Sequence, residues 1–201
     1  MKRIIAILGI LIISLFYSKG YSQNVYAFEQ ERNWYLPTHI KMQYAGNIGL
    51  ISFGPGYKWA NQIIQTDFLY GYVPYNKGDA TIHTFTIKNS FQLYTFNLFS
   101  HFNIRPNMGF SLSFEPGENT YMRVPSRYPE GYYGPNCFYA CLNLGVYSHF
   151  ELQKESRFSG FDVYIEANTL ADYVFYNILA QEDKNENIFS LALGFNICFG
   201  P

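Results

Sequence analysis

The stretch Phe189-Ser-Leu-Ala-Leu-Gly-Phe-Asn-Ile-Cys-Phe199 alternates without a break. Phe189, Leu191, Leu193, Phe195, Ile197 and Phe199 share one parity, and Ser190, Ala192, Gly194, Asn196 and Cys198 share the other. Successive side chains of a strand point to opposite faces, so the run is a strand with one large apolar face and one small or polar face. It is also long. About 9–11 residues carry a tilted strand across a bilayer, whereas strands of globular proteins average ~5–6.

The same alternation recurs along the chain. Met108, Phe110, Leu112 and Phe114 oppose Gly109, Ser111, Ser113 and Glu115. Phe138, Ala140, Leu142, Leu144 and Val146 oppose Tyr139, Cys141, Asn143, Gly145 and Tyr147. Further alternating stretches cover His39–Tyr44, Ser52–Trp59, Ile64–Tyr72, Thr84–Leu93 and Phe161–Glu166, with Leu69 on the polar side and Asn89 on the apolar side. Eight such stretches predict an all-β chain folded as an eight-stranded antiparallel up-and-down transmembrane β-barrel over residues 38–201. An even count returns both termini to the same side of the membrane. The segment Tyr94–Pro106 is too long for a short turn, and its register is left unassigned.

Composition agrees. Aromatic residues make up 20% of the 201 residues, and charged residues only 14%, against about 25% in typical soluble domains. A wall facing lipid needs no charge. The net charge of −1 gives no reason to expect a nucleic-acid partner. The N-terminus joins Met1-Lys2-Arg3 to the apolar run Ile4–Tyr17 and the small residues around Ser18, Gly20 and Ser22. That order predicts a signal peptide over 1–22, followed by a periplasmic segment over 23–37.

Loop lengths are expected to alternate. Short connections fall near Ala60-Asn61 and at Gln153–Arg157; long ones fall at Val73–Asp79, Pro116–Pro135 and Thr169–Asn187. Trp34, Tyr35, Tyr57, Trp59, Tyr70 and Tyr72 lie near strand ends, where amphipathic rings suit the lipid–water boundary. The apolar half of the last loop, with Tyr173, Phe175 and Tyr176, suits the bilayer surface.

Eight strands enclose a space that side chains fill. The inward set is predicted to hold Lys41, Lys58, Lys88, Asp67, Glu115, Asp162 and Glu166 as a structural polar network. On this reading, lysine at outward Leu112 costs about 2–4 kcal/mol near mid-bilayer, and lysine at inward Ser111 is better tolerated. Of the long loops, Pro116–Pro135 is the candidate binding surface, through Arg123, Arg127, Tyr128, Tyr132 and Tyr133. Cys137, Cys141 and Cys198 read as small buried side chains. His39, His83, His101 and His149 have no metal-ligand spacing, so neither a metal nor a cofactor is expected. Gly54-Pro55-Gly56 reads as a bend in its strand, and Pro55, which lacks a ladder donor, weakens that strand or marks a bulge.

The segments Gln65–Pro74, Ile82-His-Thr84, Tyr128–Tyr133 and Ser190–Phe195 resemble small outer-membrane barrel proteins of Bacteroidota-type bacteria. The resemblance implies location and fold; it implies no activity. By size the chain is also similar to the lipid A deacylase barrels, whose His-x-Ser-Asn motif it lacks: His149 is followed by Phe150-Glu151-Leu152. The expected function is therefore a monomeric outer-membrane barrel with a structural or surface-binding role. Its partners would be membrane lipid and a small molecule or surface ligand outside the cell, and catalysis is not the leading expectation. The alternatives are a lipid-modifying enzyme, a narrow channel and a soluble periplasmic sandwich.

Overall fold

The computed structural model describes residue 33 and residues 35–78, 80–92, 94–99, 102–117, 120–122, 136–152, 157–174 and 189–200. The expected signal segment 1–22, residues 23–32, Trp34, His101, Phe175, Tyr176 and the five loop residues from Arg123 to Tyr133 named above lie outside them.

Nine strands follow in chain order: β1 (His39–Ala45), β2 (Ile51–Trp59), β3 (Ile64–Val73), β4 (Ile82–Gln92), β5 (Phe96–Phe99), β6 (Phe102–Phe114), β7 (Phe138–Glu151), β8 (Phe158–Leu170) and β9 (Ser190–Phe199). Single helical turns at Tyr75–Gly78 and Ala171–Val174 sit in two connections. Every pairing is antiparallel, and β4 pairs with β6 while β9 pairs back to β1. The result is a closed eight-stranded barrel.

β5 is no ninth stave. It continues the track of β4 along the same edge of β6: Gln92 pairs with Asn107, and Phe96 pairs with Ile104. One more residue separates these positions on the β4–β5 side than on the β6 side, which is the count of a β-bulge. Pro106 faces this interruption, where its missing N–H leaves no ladder bond undone, and its other edge meets Val146. The stretch Tyr94–Pro106, without register in the sequence, is thus one long hairpin with a bulge on one arm. Pro55 makes no bulge; of the two expected effects of its missing ladder donor, it is the weakening of the strand that the pairing fits. The β2–β3 pairing skips Gly54 and Pro55 and resumes in the same register at Gly56↔Asp67.

Alternation decides which side chains go inside. Met42, Phe53, Phe68, Phe85, Phe110, Leu144, Val163 and Leu193 are exposed on the outer wall. Lys41, Ser52, Asp67, Lys88, Ser111, Asn143, Asp162, Glu166 and Asn196 are buried in the lumen. The barrel is inverted relative to a water-soluble domain. Both residues that depart in character keep the facing their parity assigns. Leu69 points inward and is buried. Asn89 points outward, and its Oδ1 accepts a 2.8 Å hydrogen bond from Thr66 Oγ1. Among the described residues, no helix is long and apolar enough to cross a membrane.

The three longest connections share one end, together with the short connection 46–50. That end carries 46–50, 74–81, 115–137 and 171–189; the other carries 60–63, 100–101, 152–157 and both ends of the barrel segment. Aromatic side chains gather at both: Tyr72 and His83 near the long connections, Tyr57 and Trp59 near the short ones, the last two stacked at 5.9 Å.

Candidate functional site in the barrel lumen

The lumen holds two linked polar centres. In the first, Lys41 Nζ lies 2.5 Å from Asp67 Oδ2, and His39 Nε2 lies 2.7 Å from Asp67 Oδ1. Gln65 Nε2 donates to the same carboxylate. Lys41 also donates to Tyr147 Oη at 2.9 Å, and that hydroxyl donates onward to Glu166 Oε1 at 3.0 Å. Glu166 forms a direct ion pair with Lys88. Lys88 Nζ and Tyr164 Oη both donate to Gln43 Oε1, at 3.1 and 3.2 Å. The rings of Tyr147 and Tyr164 stack at 4.4 Å, and Lys41 Nζ lies 4.9 Å from the Tyr164 centroid. Pairing, hydrogen bonding and cation–π contact together offset the desolvation of two lysines that have no exposure.

The second centre is Asp162, nearer the short connections. Its Oδ1 accepts from Arg105 Nη2 at 2.6 Å and stands 2.7 Å from His149 Nδ1. Its Oδ2 accepts from Asn196 Nδ2 at 3.1 Å and from the Cys198 thiol at 3.5 Å, with Lys58 Nζ at 3.7 Å. The sheet builds this row directly: His149 pairs with Asp162, and Asp162 pairs with Asn196.

Inward glycines make room for the large groups. A Cβ on Gly194 would fall 1.9 Å from Tyr164 Cζ, one on Gly145 2.4 Å from Glu166 Cγ, and one on Gly160 2.9 Å from His149 Cε1. The Tyr164 ring cannot retreat, because Tyr147 stacks against it. Gly194→Val is therefore expected to cost about 1–3 kcal/mol through overpacking. Gly117→Ala, whose added methyl meets only the Thr120 side chain among the described residues, is the comparison expected to stay within about 0.5 kcal/mol. Urea unfolding of the refolded barrel reads both; equal midpoints would contradict the packing described.

The mouth at the long-connection end is covered from within. The connection 46–50 turns inward, with Ile48 buried and its carbonyl over Gly71, where a Cβ would fall 2.1 Å away. Tyr139 Oη donates to the Asn47 carbonyl at 2.9 Å, and Ser190 Oγ donates to Asn47 Oδ1 at 2.5 Å. Gly46 takes φ +85°, a backbone that favours glycine at this turn. The long connection 115–137 is pinned at its base: Glu115 N–H donates to the Cys137 carbonyl, and Tyr121 N–H donates to Asn136 Oδ1 at 2.6 Å.

Six of the seven predicted network residues lie in these centres. Glu115 does not: it stands just past β6, half-buried, and burial raises its carboxyl above the ordinary range. Arg105 takes its place, so Lys41, Lys58, Lys88 and Arg105 face Asp67, Asp162 and Glu166. Parity could not place Arg105, because it sits on the stretch without register. His39, His149, Gln43, Gln65, Tyr147 and Tyr164 are legible as inward by parity, but not as partners. Ser111 is also less permissive than expected. It is buried directly opposite Lys88, so a lysine there would add a second cation to a packed site. The three cysteines are buried and free.

An enzymatic reading requires acids and histidines within hydrogen-bond reach. Two such pairs stand among the described residues. His39–Asp67 is sealed, and its other ring nitrogen lies 3.0 Å from Thr38 Oγ1, a hydroxyl that donates to the Gly56 carbonyl. His149–Asp162 reaches partial exposure. No protein-family model, curated protein or solved structure matches the chain. Function has to be read from the barrel itself.

Proposed function

We propose that this chain is a monomeric outer-membrane barrel that fills its own lumen and offers its long connections as a binding surface outside the cell. The observation that supports it most is the inverted wall. Phe53, Phe85, Phe110, Leu144 and Leu193 are exposed around the closed barrel while seven charged side chains face inward. In water such a wall would be a large aggregation-prone patch; in a bilayer it is the favourable arrangement. The export signal read at 1–22 and the aromatic residues near both ends agree with that setting. The stacked tyrosines, the ion pairs and the inward connection 46–50 fill the interior, which favours a sealed barrel over a channel. The binding role rests on the connection Pro116–Pro135, with its two arginines and its tyrosines. Arg123, Arg127, Tyr128, Tyr132 and Tyr133 are its proposed contacts, with a small molecule or a surface ligand as partner.

The test is fractionation of envelopes followed by electrophoresis of heated and unheated samples. Recovery in the outer membrane with a heat-dependent mobility shift is the expected result. Recovery in the soluble periplasm would overturn the membrane setting. Large steady conductance in planar bilayers would overturn the sealed lumen.

A further inference from the structure

The Asp162 centre contains more than a structural ion pair. His149 Nδ1, a carboxylate oxygen of Asp162 and Cys198 Sγ all lie within 4.8 Å of one another. A tetrahedral zinc ion, with Zn–N near 2.0–2.1 Å and Zn–S near 2.3 Å, spreads its donors roughly 3.3–3.8 Å apart. The three side chains come from three adjacent strands, β7, β8 and β9, so their separation is fixed by the sheet.

Two further observations point to a ligand. First, Asn196 is fully buried against Asp162, and its Oδ1 has no hydrogen-bond partner. Asn143 and Asn168 also have buried carboxamides without a partner, but the Asn196 oxygen belongs to a side chain bonded to Asp162 itself, and it is a donor atom of the type metals accept. Second, Lys58 Nζ stands 3.7 Å from Asp162 Oδ2 and 4.0 Å from Cys198 Sγ. Those are loose contacts for an ammonium that can make three strong ones. It occupies the region between carboxylate and sulfur as a resident cation. Its side chain is 10% exposed and that of His149 is 16% exposed. Arg105 holds the other carboxylate oxygen at 2.6 Å and is free to keep it.

We propose that His149, Asp162 and Cys198 form a site for a borderline-soft divalent cation of the zinc type, with Lys58 as the built-in competitor. Loading the site swings the Lys58 ammonium out toward the short-connection mouth. The proton that His149 Nδ1 directs at Asp162 is given up, so that the neutral ring carries its proton on Nε2, and the Cys198 thiol proton passes to solvent; the ion then takes one nitrogen, one oxygen and one sulfur, leaving a fourth position for the Asn196 carboxamide or water. A nitrogen–oxygen–sulfur set favours zinc over calcium or magnesium, which prefer oxygen alone. The inference depends on the barrel fold and not on where the barrel resides.

Cobalt(II) reports the site directly, because a thiolate–cobalt bond gives an intense near-ultraviolet charge-transfer band. Titrating the refolded full-length barrel with Co²⁺ is expected to produce that band at one equivalent, and Zn²⁺ is expected to abolish it. Cys198→Ser should remove the band, and Lys58→Met should lower the apparent Kd at least tenfold. Heat-modifiable mobility verifies that each variant is folded, and Cys137→Ser serves as the thiol control. Absence of the band in the folded wild type would overturn the site, as would its persistence in Cys198→Ser. An unchanged Kd in Lys58→Met would overturn the competition.

Discussion

Glu166→Leu is expected to destabilise the barrel by about 3–5 kcal/mol, the range for removing one partner of a buried ion pair. The reason is what remains. Lys88, with no exposure, would keep the Gln43 oxygen at 3.1 Å and the Tyr164 ring 5.7 Å away, but no directly paired carboxylate. The Tyr147 hydroxyl would lose its acceptor while still receiving a bond from Lys41. One substitution thus strands a charge and breaks a chain of donors. The double variant Lys88→Met/Glu166→Leu should regain most of the loss, because replacing both partners removes the stranded charge along with its mate. Urea unfolding in lipid vesicles, read by the mobility shift, separates the outcomes. A single variant within about 1 kcal/mol of wild type, against that range, would mean the ion pair is not buried as described.

The second large effect lies on the other face. Leu112 is 52% exposed and pairs with Ile87 at the midpoint of β4. On a protein surface in water, a lysine there would change stability by about 0.5 kcal/mol or less. At the centre of a bilayer it would cost about 2–4 kcal/mol, and the cost would fall to ~0–1 kcal/mol near the interface. Ile63, 53% exposed in the 60–63 connection, supplies the interfacial comparison. A clear excess for Leu112→Lys over Ile63→Lys is the expected result in vesicles. Equal, small losses at both positions would remove the case for a lipid-facing wall.

Most of the fold is legible in the parity of the amino-acid sequence. The runs Phe189–Phe199 and Phe138–Tyr147 can be assigned to faces because each alternates without error, and in the barrel their large apolar residues do face out. The hairpin between Gln92 and Asn107 resists assignment, because a bulge shifts parity by one. That loss conceals Arg105. The Asp162 centre is concealed for another reason. His149, Asp162 and Cys198 are far apart along the chain and meet only through strand register. Ligand spacing is a signal of loops and helices; a barrel gathers its donors from across the sheet. The inward fold of 46–50 is equally hidden, since nothing in a short connection says which way it turns.

The seam between β1 and β9 has a consequence for how the molecule is made. Seven of the eight seams join staves consecutive around the barrel and in the chain, whereas the eighth joins its two ends. The eighth brings His39 beside Cys198 and Ala45 beside Ala192, the two ends of the barrel segment. Loop-closure entropy makes such a distant contact the slowest to form. Until it forms, the lumen stands open and its charges stay hydrated. Lys41, on β1, meets Tyr147 across the interior only when the ring shuts. Desolvation of the charges and closure of the ring are therefore one event, and an incomplete chain lacking its last strand has no sealed state to settle into.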